Sequence, residues 1–337
     1  MEMPIAAHDI DYAENLLAEG ELETAAVLLE ELASEAGEYA DAACIATDAR
    51  QWFSFSSPFE YLAYRRVERD PRELSQVEAP FDRLYADLAY IYIQRHEYES
   101  ARDALKQAVR WNPMNCAHRL NLAEVFRALG DTQEWAALSA SVLDRATTPQ
   151  ALARAFANLG QYFLAGENLT AAEGCRRAAI RACDADAAAT ALAAQLDKEH
   201  PELGELSDEV VNKQLEEHGI GTGANAEIAV CLLMCATDAA SEGDRNEATR
   251  LTLLFRNVIF HRSKIPFLLL CQIGKHDLAF CTALALGRSL LISTAAIVHN
   301  QHIDSLALII RGDIQLRAQG IVGAKLLVEF CRPAVLV

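Results

Sequence analysis

The sequence predicts an all-α fold in which helical hairpins stack side by side, and three observations predict it. Residues 85–113, YADLAYIYIQRHEYESARDALKQAVRWNP, form one complete helix-turn-helix unit. The 337 residues are 52% hydrophobic with only 9 Pro, a composition suited to a folded, mostly helical chain. Similar units flank the first. One such unit cannot bury its own apolar face, so its neighbours must cover it.

Within residues 85–113, Tyr85, Leu88, Ala89 and Tyr92 recur at spacings of three and four and define one apolar helix face. A polar break at Arg95–Glu97 follows, then Ala101, Ala104, Leu105 and Ala108 mark a second helix that Pro113 stops. Ala89, Ala101 and Ala108 let the two helices approach closely, while Tyr85, Tyr92 and Leu105 fill the space around them. N-terminal to this unit, residues 11–37 read as a capping hairpin with a turn at Gly20 and a cap at Asp9 or Asp11. Residues 1–45 are assigned to that hairpin and 46–80 to an irregular connection. Trp52, Phe53, Phe55, Phe59, Tyr61 and Tyr64 crowd this connection, either as core or as a ligand-contact loop.

A second unit begins near Cys116, with Leu120, Leu122, Ala123, Phe126 and Gly130 in the first helix and turn, but Trp135 stands where a small residue is wanted. A third carries Phe156, Leu159, Gly160 and Phe163, then Ala172 and Ala179. An Ala-rich helix over residues 185–199 ends before Pro201, and Ser207 caps another that Gly219 closes. A last, weak unit spans 226–257 with a turn at Gly243. The array is thus placed at 81–258 and an apolar, helical C-terminal segment at 259–337.

The pattern of large, Leu, small and aromatic residues, then small, large, small and Pro, resembles the tetratricopeptide repeat (TPR), with His96 in place of the usual turn Gly. The order of features over about residues 10–258 further resembles an uncharacterised bacterial TPR-containing family. The resemblance implies a helical-repeat solenoid that binds protein or peptide on its concave face, as a scaffold or adaptor without catalysis. By register, the outward positions include Arg83, Asp87 and Tyr90, then Asn121, Glu124 and Arg127, then Arg154, Asn158 and Gln161. Tyr90, Asn121, Arg127, Arg154, Asn158 and Gln161 are the candidate peptide-binding groove, able to recognise a peptide by polar and stacking contacts. The carboxylate clamp of chaperone-binding TPR domains is broken here. Asn121 matches its middle Asn and Arg154 takes a Lys position conservatively, whereas Ala86, Tyr90 and Asn158 replace its other members.

Formal net charge is −18, which weighs against nucleic acid as a partner and favours a basic or neutral one. Residues 1–250 carry 44 acids and 21 bases, whereas residues 251–337 carry 4 acids and 9 bases, so charge and composition change together near the end of the array. Nine scattered cysteines without a CxxC pair fit free thiols in a reducing cytoplasm, and the acidic N-terminus lacks the apolar core of a signal peptide. No catalytic signature, P-loop or dinucleotide fingerprint is present, so no cofactor is expected. Cys271, His276 and Cys281, with His261, are too irregular for a zinc site, and no metal is expected.

Residues 278–298 are long enough to span a bilayer, yet central Arg288 would cost about 3 kcal/mol there. A membrane-tethered assembly factor is therefore the alternative to a cytoplasmic adaptor, and a peptide-responsive regulator is another. A buried pair of helices, or a terminus foreign to the rest of the chain, also fits the tail, which loses both the repeat pattern and the acidic bias. The proposed register predicts that Ala101→Leu overpacks its hairpin and costs about 1 to 3 kcal/mol; thermal denaturation checks this, and an unchanged melting temperature would defeat the register.

Overall fold

The computed structural model describes residues 3–222 and 225–260, and they are mostly helical. The chain divides into two compact units, Met1–Asn225 and Ala226–Val337. The first opens with α1 (Ala7–Glu19) and α2 (Leu22–Ala43), continues through β1 (Arg50–Phe53), α3 (Pro58–Glu68) and β2 (Glu73–Gln76), and then becomes helical throughout. Three hairpins follow: α4 (Phe81–Gln94) with α5 (Tyr98–Trp111), α6 (Cys116–Ala128) with α7 (Thr132–Leu143), and α8 (Pro149–Ala165) with α9 (Leu169–Ala182). The unit closes with α10 (Ala187–Glu199), a 3-10 turn at Pro201–Glu205 and α11 (Asp208–Glu217). The described part of the second unit is the hairpin of α12 (Ala226–Glu242) and α13 (Arg245–Phe260). The candidate zinc residues and the apolar stretch 278–298 lie outside the described residues.

The connection over residues 46–80 is ordered rather than irregular, which corrects the sequence expectation. β1 and β2 pair in parallel, Arg50 opposite Glu73 and Phe53 opposite Gln76, and α3 is the crossover between them. Pro58 at the first helical position and the Ser57 hydroxyl, which accepts from the Glu60 N–H, explain why α3 starts there. Four of the connection's aromatics, Phe53, Phe55, Phe59 and Tyr64, are core, whereas Trp52 is half-buried and Tyr61 exposed; Phe53 and Phe55 stack at 4.8 Å, and Tyr64 tilts against both. The Ser54 N–H donates to the Trp111 carbonyl and joins the strand to the end of α5. At the N-terminus Asp9 does not occupy the cap position. It lies in the first turn and accepts from the Ala6 N–H at 2.9 Å.

The hairpin turns are alike. In each of the three central hairpins, an aromatic carbonyl near the end of the first helix accepts from the N–H five residues on: Tyr92 from Glu97 at 2.8 Å, Phe126 from Asp131 at 2.9 Å, Phe163 from Asn168 at 2.9 Å. The residue before that N–H is left-handed, namely His96 at φ 61°, Gly130 at φ 83° and Glu167 at φ 59°. This is the Schellman geometry, which satisfies the carbonyls a helix end leaves free. From His96 to Gly130 is 34 positions and from Gly130 to Glu167 is 37. The second helix then starts at once, with the Asp131 and Asn168 side chains accepting from Glu134 and Ala171 N–H groups.

Small residues fill the seams between helices. Ala89, Ala101, Ala108, Ala123, Ala153, Ala172 and Ala179 are fully buried. Gly160 shows how close the approach is: a Cβ there would lie 2.3 Å from Leu192 Cδ2 on α10 and 3.3 Å from Cys175 Cβ on α9. Glu173 on α9 is also fully buried, where it accepts from Arg176 and Arg177 at 2.6–2.7 Å. Burial by itself pushes its carboxyl up, but the two guanidiniums outweigh burial and hold the carboxyl below its usual range. Arg177 also donates to Asp208 and to the Leu206 carbonyl, so one buried acid anchors the turn that leads into α11.

Around Gly130 a Cβ would meet no atom within 4 Å, so only its backbone geometry constrains that position. Gly130→Ala is expected to lower stability by about 1 kcal/mol through left-handed strain alone. Thermal or urea denaturation measures this, with His96→Gly expected to shift stability in the opposite direction.

Candidate functional site

The six groove candidates fall on the first helices of the three hairpins, and the structure treats them unequally. Tyr90 on α4 is 45% exposed. Asn121 and Arg127 on α6 are also exposed; Arg127 pairs with Glu124 at 2.6 Å and its guanidinium lies 5.5 Å from the centroid of the Trp135 ring. On α8, Arg154 is half-buried, and Gln161 donates to Gln195 of α10 at 3.0 Å. Asn158 is 5% exposed and donates to the Ser139 hydroxyl of α7 at 3.1 Å, so its amide serves the α7–α8 seam. None of the six hydrogen-bonds to another among the described residues.

Composition explains the difference. Residues Leu152–Gly160 of α8 are buried except for Arg154, because Ala153, Ala155, Ala157 and Gly160 allow neighbours to close in from several sides. α8 packs against α6, α7, α9 and α10. α4 and α6 carry larger and more polar outward residues and keep one face open.

The outward face of α4 is itself covered at its start. Arg83 donates to Glu14 of α1 at 2.6 and 2.8 Å and to Asp11 at 2.7 Å, so α1 lies against this end of the groove. Asp87, one turn further, has a buried Oδ2 with no hydrogen-bond partner among the described residues. Burial pushes its carboxyl up from 3.8 to about 7; Glu14 and Asp82 push the same way, and Arg83 opposes them.

A cluster that sequence reasoning missed lies behind the groove. Asp82 is fully buried, and its Oδ2 accepts from Asn112 Nδ2 at 3.0 Å and lies 3.3 Å from His118 Nε2. Its Oδ1 faces the Ser54 hydroxyl at 3.3 Å, which also lies 3.0 Å from the Ala79 carbonyl. Asn112 donates further to Glu60 Oε2 at 3.0 Å, and Glu60 accepts from the Ser56 N–H at 2.7 Å. Burial raises the Glu60 carboxyl above its ordinary value, with the Ser56 and Asn112 donors opposing. A serine, a histidine and an aspartate meet here, but in the wrong order for nucleophilic catalysis. Ser54 and His118 both end on Asp82, so the imidazole has no hydroxyl to deprotonate. The chemistry available is structural: five polar side chains tie the β1–α3 connection to the starts of α4 and α6 and the end of α5. No local sequence signal marks it, since Asp82 stands beside Arg83 and reads as an ordinary solvated acid.

Six cysteines lie among the described residues, and half of them are core. Cys44, Cys175 and Cys231 are buried, and burial pushes the Cys116 thiol up to about 12 and that of Cys235 up to about 11. No group of His, Cys, Asp and Glu able to hold a metal ion occurs among the described residues, and no described helix is long and apolar enough to cross a membrane. No family model and no curated protein matches the chain.

Asp87 makes stability depend on pH. Its folded-state affinity for protons exceeds that of the unfolded chain, so its contribution falls as pH rises from about 4 to about 7 and is lowest above that. Asp87→Asn is expected to raise stability at pH 8 by on the order of 1 kcal/mol and to gain progressively less toward pH 4; melting temperatures at both pH values test this.

Proposed function

We propose that residues 81–258 form a TPR-like solenoid, and that the protein is a non-catalytic scaffold or adaptor binding a protein or peptide on the face formed by α4 and α6. The repeated Schellman turn, at separations of 34 and then 37 positions, supports the repeat assignment, since 34 residues is the period of that repeat. The observation that carries the functional reading is that Tyr90, Asn121 and Arg127 stay exposed on first helices whose other sides are packed. An aromatic ring, an amide and a guanidinium together offer stacking, two-way hydrogen bonding and charge, which suits an extended peptide or a helix face. The excess of acids over bases, with a net charge of −18, favours a basic or neutral segment in the partner. The free thiols suit a reducing cytoplasm.

The test uses the full chain as bait in native lysate beside a Tyr90→Ala, Asn121→Ala, Arg127→Ala variant. These three side chains are exposed, so the variant is expected to keep its helical circular dichroism while recovering its partner at least tenfold less well. Equal recovery by both baits would remove the groove from the mechanism.

A further inference from the structure

Away from the groove, a cavity of about 520 Å³ opens between the second half of α2 and the end of α5. Its volume falls in the range of small-molecule sites. Ala40, Cys44, Ile45 and Trp111 supply apolar wall, and Tyr85 and Arg110 supply polar wall. Arg110 is the unusual member. Its guanidinium carbon lies 4.0 Å from the centroid of the Trp111 ring, and its Nη1 is buried without a hydrogen-bond acceptor among the described residues. Arg83, Arg95, Arg176 and Arg177, by contrast, each bond a carboxylate.

A guanidinium with one buried, unmet N–H group is costly, and an arriving anion on the rest of the fork relieves part of that cost. Burial already pushes Arg110 below its ordinary value, with weaker opposition from Cys44, Tyr85 and Asp41. None of these is a built counter-ion. Burial pushes the Cys44 thiol and the Tyr85 phenol up, so both stay neutral, and Asp41 is exposed to water. Because Asp41 also lines the cavity, a ligand with two or more negative charges meets repulsion from it. One planar guanidinium matches one carboxylate.

We propose that this cavity binds a small organic monocarboxylate, with the carboxylate on Arg110 and the apolar body against Trp111, Ile45 and Ala40. The site shares no residue with the groove and stands independently of the proposed scaffold role. It is tested on the full chain by saturation-transfer NMR and by shifts in melting temperature. The probes are hexanoate, benzoate and phenylacetate, each beside its amide, with inorganic phosphate as a further control. At least one acid is expected to bind saturably, its amide at least tenfold more weakly, and phosphate without saturation.

Arg110→Gln is expected to weaken the acid at least tenfold. Gly37 lines the same cavity, and a Cβ there would meet no atom within 4 Å. Gly37→Leu therefore fills the space on a helix that favours Leu over Gly, and is expected to abolish binding while the fold persists. This second variant decides the matter if Arg110→Gln unfolds. The proposal is overturned if none of the three acids binds, if an amide binds as tightly as its acid, or if the folded variants keep the parent affinity.

Discussion

Close approach of paired helices, made possible by alanine and glycine along their seams, is the constraint on which the rest of this structure depends. Ala89, Ala101 and Ala108 bring α4 and α5 together, and Gly160 does the same for α8 against α9 and α10. With side chains this small, little apolar area is gained per residue, and stability must come from density of contact instead. Large residues then take up the remaining volume at the ends of each hairpin. Phe81 and Trp111 meet edge to face at 4.9 Å, and Phe163 packs near Tyr162 at 5.6 Å. Turns must hold each pair at this separation. The backbone bond closing each left-handed turn does so without a shared side chain, which is why His96, Gly130 and Glu167 can occupy equivalent places.

Polar groups perform the joining that helix packing cannot. A hairpin repeats its contacts with its neighbour, but β1, α3 and the 3-10 turn have no repeat partner. Each is tied down by a buried carboxylate with more than one donor: Asp82 for the strand-helix-strand connection, Glu173 for the turn before α11. Burying a charge is costly unless it is fully met by donors, so these two sites are sensitive to loss of any single partner. Arg110 and Asp87 lie at the other extreme, each buried in part and unmet. The first belongs to a cavity and the second to the covered end of the groove.

The face proposed for binding is asymmetric for the same packing reason. α4 and α6 each have three helical neighbours and leave one face to solvent, whereas small residues on α8 admit α6, α7, α9 and α10 around it. The ion pairs from Arg83 to α1 close one end, and the enclosure of α8 narrows the other. Tyr90, Asn121 and Arg127 remain exposed, on the first helices of two successive hairpins.

Local patterns in the sequence were sufficient for the hairpin helices and several of their boundaries, but not for α3 or for the cap of α1. Spacings of three and four mark the faces, Gly20, Gly130, Gly219 and Gly243 mark left-handed positions, and Ser207 and Pro201 mark boundaries, all because these effects act within a few residues of the chain. The sequence alone also identified Tyr90, Asn121 and Arg127 as outward, since register on a helix is local. Tertiary structure decided what depends on distant partners. β1 and β2 lie on either side of α3 and become strands by pairing with each other. Asn158 has the outward register of Arg154 and Gln161, yet Ser139 of a neighbouring helix draws it inside. Asp82 reads as a surface acid until Ser54, Asn112 and His118 arrive from three other segments to meet it. Helical periodicity gives the direction of a side chain, but only the assembled neighbours determine whether that direction leads to water.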